Sequence, residues 1–194
     1  IYLQGPSTIS DTTISGNITD AARGGGIHAA GPGMGITLIR TSVIGNTALD
    51  GGGISGTLIV VNSTLSANHA HRYGGGAYLQ TVKLINTTIS GNYSDDDGGG
   101  IYAYSGTNEL YHVTVTANLA NDDDFRTAIG GGVYNASAGP LYAANSIIAM
   151  NRVDIPTDIK PILAPDDCAG TITLQGNSIF KAIDAAHCAI IGSA

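Results

Sequence analysis

The sequence predicts an all-β fold: a right-handed parallel β-helix of three-strand coils, each about 24 residues long, with six to seven coils in 194 residues. Three observations predict it. A triple glycine starts at Gly24, Gly51, Gly74, Gly98 and Gly130, at intervals of 27, 23, 24 and 32 residues. A motif of the form I-S-G-N ends at Asn17, Asn46, Asn68, Asn92, Asn118 and Asn151, and keeps step with the glycines. Three residues before each of these asparagines stands an aliphatic residue: Ile14, Val43, Leu65, Ile89, Val115 and Ile148.

Each element of a coil has its own signature. Every glycine triplet runs into an aliphatic residue (Ile27, Ile54, Ala77, Ile101, Val133), which marks the first strand. Alternating pairs follow, Ile36/Leu38, Leu58/Val60 and Val82/Leu84, and such alternation gives a strand with one buried face. The T-I-S-G-N segment supplies the third strand. Helical periodicity is absent, and the glycine load opposes helix. The recurrent Asn reads as a turn residue, because Asn tolerates left-handed φ and bonds its own backbone; stacked in successive coils, such residues make an internal amide ladder. The triple glycine reads as architecture, permitting positive φ and close approach of backbones; neither a Gly-Lys-Ser/Thr continuation nor a following helix makes it a phosphate loop. Parallel strands stack about 4.8 Å apart, so the coils make a rod roughly 30 Å long, and parallel crossovers are right-handed. Residues 1–155 form the repeat domain on this reading. Residues 156–194 lose the glycine triplet, contain Pro156, Pro161 and Pro165, and form an irregular cap that continues the last coil.

Composition fits such a rod. Hydrophobic residues are 43% of the chain, whereas aromatic residues are 6% and Trp is absent, so the core must be thin layers of Ile, Leu, Val and Ala. Charged residues are 12%, about half the usual share. The 28 glycines follow no collagen-like period. A net charge of −7 argues against nucleic acid and anionic membrane surfaces, which select basic patches, and is compatible with divalent cations. No apolar run is long enough to span a bilayer. With no initiator Met and no signal peptide at Ile1, the chain reads as a mature or excised segment. Two cysteines, low Lys and N-x-S/T triplets at Asn17, Asn62, Asn86, Asn92 and Asn135 point to a secreted or cell-surface location. In such a location Cys168 and Cys188 are expected as a disulfide rather than as two free thiols; it would staple the cap and contribute roughly 3 kcal/mol.

The copies Asn62-Ser63-Thr64-Leu65-Ser66-Ala67-Asn68 and Asn86-Thr87-Thr88-Ile89-Ser90-Gly91-Asn92, each following a glycine triplet and an alternating strand, resemble the right-handed β-helix repeats of bacterial surface proteins, among them the polymorphic outer-membrane-protein-like repeats and the choice-of-anchor proteins. The segment Asp167-Cys168-Ala169-Gly170-Thr171-Ile172-Thr173, with Asn177-Ser178-Ile179 and Cys188 after it, looks like the terminal region of the choice-of-anchor group. The resemblance implies a β-helix and a surface location. It implies no activity, because β-helices host many.

Function should lie on the segments before each glycine triplet and on the residues just after it. The preceding segments carry Asp20, Arg23, Asp50, His69, His71 and Arg72, then Asp95, Asp96 and Asp97, then Asp122, Asp123 and Asp124 with Arg126. Two Asp triplets in adjacent coils would gather six carboxylates, a donor set for Ca²⁺, unless they are solvated turn residues. No cofactor is otherwise required. His69 and His71 alternate on an extended segment and would share a face; a paired-His metal site would need a third ligand from a neighbouring coil, such as Asp95 or Asp97, and the other reading is two exposed loop histidines. Tyr78, Tyr102 and Tyr134 follow the glycine-aliphatic motif and should point outward, as a contact row for sugars or a partner protein, as cross-strand stacks that stabilise the sheet, or as both. Asp96-Asp97-Gly98 distantly resembles a hydrolase carboxylate pair, with Arg72 or Arg126 near it, but the supporting motifs of polysaccharide hydrolases are missing. The expectation is a noncatalytic surface scaffold with a structural, adhesive or assembly role, whose partners are polysaccharide, another surface protein or copies of itself. A polysaccharide-binding or pectate-lyase-like degrading protein is the rival.

Overall fold

The computed structural model describes residues 1–31, 33, 35–121, 128–155, 162–183 and 186–192. Among these residues there is no helix, and therefore none long and apolar enough to cross a membrane. Strands gather in three sheets of twelve, seven and six. The first sheet contains the post-glycine strands Ile27–Ala29, Ile54–Val61, Ala77–Ile85, Ile101–Ala103 and Val133–Asn135, followed by Cys168–Leu174. The second stacks Thr13–Ser15, Ser42–Ile44, Thr64–Ser66, Thr88–Ser90, Thr114–Thr116, Ile147–Ala149 and Ile179–Phe180. The third runs through Thr47–Ala48, His69–Ala70, Tyr93–Ser94, Leu119–Ala120 and Arg152–Ile155 to Ile162–Pro165. Pairing is parallel throughout except between the last two of these. Each repeat contributes to all three sheets in turn, and equivalent residues fall in register: Ile54 pairs with Ile27 and Ala77, Leu65 with Val43 and Ile89.

The strand assignment within a repeat differs from the sequence expectation. The glycine-led strand and the alternating strand belong to one sheet and fuse into single strands at Ile54–Val61 and Ala77–Ile85. The third sheet comes from dipeptides directly after each Asn, inside segments expected to be loops. Two residues with a small inward side chain (Ala48, Ala70, Ser94 or Ala120) carry no periodic signal of their own. They are strands because the levels above and below fix them. The final stretch also holds regular structure where an irregular cap is expected, with strands Ile162–Pro165, Cys168–Leu174, Ile179–Phe180 and Cys188–Ile191. Cys168 and Cys188 are joined, with Cα atoms 5.6 Å apart, and Cys168 takes the core position that Val133 holds one level earlier.

The core is a set of aliphatic columns. Ile14, Val43, Leu65, Ile89, Val115 and Ile148 are buried in one column, and Ile27, Ile54, Ala77, Ile101 and Val133 in another. A polar column runs beside them. Asn46, Asn68, Asn92, Asn118 and Asn151 are at most 1% exposed. From Asn17 onward, each Asn donates its backbone N–H and its Nδ2–H to Oδ1 of the next, at 2.8–3.1 Å. The second Nδ2 hydrogen goes to the carbonyl of an earlier core residue, for example from Asn92 to Leu65 and from Asn118 to Ile89, both at 3.0 Å. The column ends on Asp167, whose Oδ1 accepts from Asn151 N and Nδ2 at 2.9 and 2.8 Å. The other carboxylate oxygen accepts from Lys181 N and Ala182 N.

The amide ladder is therefore present, but its turn geometry is not the one expected. The left-handed residue is the one before each Asn: Gly16, Gly45, Ala67, Gly91, Ala117 and Met150, with φ between 51° and 66°. This leaves the Asn backbone regular and directs its side chain inward. The third glycine of each triplet packs against the same column and against the backbone carbonyl of the next level. A Cβ on Gly76 would lie 2.7 Å from Gly100 O and 3.0 Å from Asn92 Nδ2, and one on Gly53 would lie 2.9 Å from Asn68 Nδ2. The third glycine leaves room for the carboxamide beside it.

Asn92→Ala should leave two buried donors of Asn68 without their acceptor and remove the side-chain donor to the Leu65 carbonyl, lowering stability by about 3–5 kcal/mol. The exposed Asn86, whose Nδ2 donates to Asn62 Oδ1, should cost about 1 kcal/mol as Ala, chiefly through its left-handed φ of 48°. Urea midpoints of the two variants test the contrast. Met150→Gly should raise stability by about 0.5–1 kcal/mol, because an exposed side chain there holds a φ of 66° that costs glycine nothing sterically; the same titration reads it.

Candidate functional site: an aromatic face and a histidine–aspartate cluster

The outer side of the first sheet carries the tyrosines. Parallel register sets Tyr78 beside Tyr102 and Tyr102 beside Tyr134. Tyr78 and Tyr102 stack with centroids 5.5 Å apart and planes 5° from parallel; Tyr134 meets Tyr102 edge-on at 5.2 Å. Two further tyrosines join them, Tyr73 against Tyr102 at 4.6 Å and Tyr104 against Tyr78 at 5.3 Å. Both lie outside the glycine-aliphatic-Tyr pattern, so position in the repeat does not reveal them. Tyr73 directly precedes a glycine triplet and Tyr104 directly follows the strand Ile101–Ala103; only the stacking of levels brings them to the same group.

Beside the rings lies a charged triad. Asp50 is 1% exposed and takes Arg72 Nη2 at 2.8 Å and Arg23 Nε at 3.3 Å. The two guanidiniums then lie over the rings, Arg23 4.9 Å from the centroid of Tyr78 and Arg72 5.5 Å from that of Tyr73. The hydrogen bond to Asp50 raises the pKa of Arg72. Burial pushes the Tyr78 hydroxyl up to about 12, and burial likewise raises Tyr102 and Tyr134. His28, whose Nδ1 lies 2.6 Å from Ser55 Oγ, is pushed down by burial and by the charge of Arg23.

The tyrosines are not equivalent. Tyr78 is 5% exposed, covered by its neighbours, so it acts through packing; Tyr104 is 48% exposed and presents the open ring of the group. Tyr102 and Tyr134 are half-buried.

On the third sheet, His69 and His71 do share a face, with ring centroids 4.8 Å apart. Asp95 joins them from the next level: its Oδ1 is 2.8 Å from His69 Nε2 and its Oδ2 3.2 Å from His71 Nδ1. Asp96 and Asp97 do not join this group: Asp97 Oδ1 accepts from Ile129 N at 2.9 Å, and Asp96 donates its backbone N–H to Arg72 O. Asp122, Asp123, Asp124 and Arg126 lie outside the described residues. Arg72 is engaged by Asp50. An open concavity of about 380 Å³ is lined by neutral residues, among them Asn135, Ser137, Pro140 and Thr171, and so offers no carboxylate pair.

Residues 86–104 match the model of the Chlamydia polymorphic membrane protein (Chlamydia_PMP) repeat. The matched stretch runs from Asn86 through the ladder residue Asn92 and the glycine triplet to Tyr104, one passage from the second sheet through the third to the first. No curated protein and no solved structure matches the chain.

A tyrosine whose hydroxyl is harder to ionise when folded stabilises the fold below pH 10, and that contribution is lost as pH rises from 10 through about 12. Tyr78→Phe should therefore flatten the loss of stability over this window, read as unfolding midpoint against pH.

Proposed function

We propose that the chain is a right-handed parallel β-helix that serves as a noncatalytic scaffold at a cell surface and binds polysaccharide through its tyrosine face. The observation that carries the reading is the aromatic group on the outer side of the first sheet, five rings joined edge to face and face to face with Tyr104 open. Passage through three sheets per repeat supports the coil, and the general handedness of parallel crossovers supports its hand. The match of residues 86–104 to a repeat of polymorphic membrane proteins supports the surface location.

Tyrosine rings held flat and rigid suit the apolar faces of sugars, and little side-chain entropy remains to be lost on binding. Both arginines of the face are already paired with Asp50, and the chain carries a net charge of −7, so a neutral polysaccharide fits better than an anionic one. A regular sheet offers such a ligand a flat track.

Tyr104→Ala should weaken binding to neutral glycans on an array at least tenfold while leaving the circular dichroism spectrum unchanged. Equal binding by the variant, or no glycan bound by the parent chain, would sink the reading.

A further inference from the structure

The third sheet carries a second cluster of polar side chains, which the tyrosine face does not use. We infer that His69, His71 and Asp95 form a binding site for a divalent transition-metal ion, Zn²⁺ foremost. The backbone sets up the donors. Ala70 pairs with Ser94, so His71 stands opposite Asp95, whose N–H donates to Ala70 O at 2.9 Å, and His69 lies on the same face one alternation back. The three donor atoms all lie within 4.8 Å of one another. Tetrahedral bonds of about 2.0–2.1 Å place ligand atoms roughly 3.3 Å apart. The two short separations run to different oxygens of Asp95, 2.8 Å from Oδ1 to His69 Nε2 and 3.2 Å from Oδ2 to His71 Nδ1, so the carboxylate must turn to present one oxygen to an ion shared with both rings, a movement inside the 4.8 Å spread of the donors. The two imidazole nitrogens close toward each other as the ion enters, a movement within reach of partly exposed rings.

The rings are held for this geometry. His69 lies against Tyr93, centroids 4.9 Å apart, and Tyr93 OH accepts from Asn121 Nδ2 at 2.8 Å. His71 directs Nδ1 to Asp95 at 3.2 Å, and the exposed Asp20 carboxylate lies 3.8 Å from its Nε2, beyond hydrogen-bond distance. The side chains of His69 and His71 are 32% and 39% exposed, which gives an ion access and leaves a fourth position to water. Two imidazole nitrogens and one carboxylate select Zn²⁺, Cu²⁺ or Ni²⁺; Ca²⁺ requires six to eight oxygens. Imidazole must be neutral to bind, so affinity falls at acid pH.

The test titrates the chelator-stripped full chain with ZnCl₂ by calorimetry at neutral pH. One Zn²⁺ per chain is expected, undisturbed by millimolar Ca²⁺, with affinity at least tenfold weaker in His71→Ala, His69→Gln and Asp95→Asn, and unchanged in His112→Asn. Imidazole ¹⁵N shifts confined to His69 and His71 on adding Zn²⁺ supply a readout that does not depend on a variant folding. Absence of stoichiometric binding, equal binding by the three variants, or shifts at His112 or His187 instead would overturn the site.

Discussion

A buried column of asparagines holds the levels of this fold in step. A carboxamide can donate twice and accept twice, and here the demand is met at each interior level: two donors arrive from the preceding Asn, one hydrogen goes forward and one goes to a core carbonyl. An apolar residue at the same place would strand the backbone N–H of its neighbour. Because buried polar groups are costly unless satisfied, the column punishes any slip of register between levels. The aliphatic columns supply bulk stabilisation and resist a slip of one residue, which would turn them outward; the amides add a directional requirement at every level.

The column also dictates the sequence around it. The third glycine of each triplet is glycine because the next level's backbone carbonyl and the carboxamide together fill the space its Cβ would need, and the residue before the Asn takes the left-handed turn so that the Asn can point inward. With the interior thus fixed level by level, residues at equivalent positions outside are brought to one strand spacing. That is how Tyr78, Tyr102 and Tyr134 come to touch, and how Asp95 reaches two histidines 24 and 26 residues earlier.

Much of this is legible in the sequence, and the reasons for the remainder are physical. Glycine triplets, ladder asparagines and aliphatic columns repeat often enough to be read by alignment of the chain on itself. The third-sheet strands escape that reading because a dipeptide such as His69–Ala70 has no period, and only neighbours above and below make it a strand. Residue preference points to Asn for the left-handed position, whereas Gly, Ala or Met takes it here. The motif gives the direction of the tyrosine row but not its cover: the burial of Tyr78 depends on Tyr104 and Arg23, which lie at other places in the repeat. Strand alternation places the two histidines on one face, and the adjacent level is where their third member, Asp95, is to be sought.

Asp167 gives the column a direction. It stands in register with Gly132, where its side chain occupies the space a further carboxamide would fill, and the backbone N–H and one Nδ2 hydrogen of each asparagine point along the column toward it. Interior levels, by contrast, are interchangeable: each presents the same acceptor to one side and the same donors to the other. Whole repeats can therefore be duplicated or deleted between Asn46 and Asn118 without leaving a mismatched amide, while the level that holds Asp167 cannot be copied into the middle. Copy number is the variable this architecture leaves open, and the carboxylate marks the one level that must stay single.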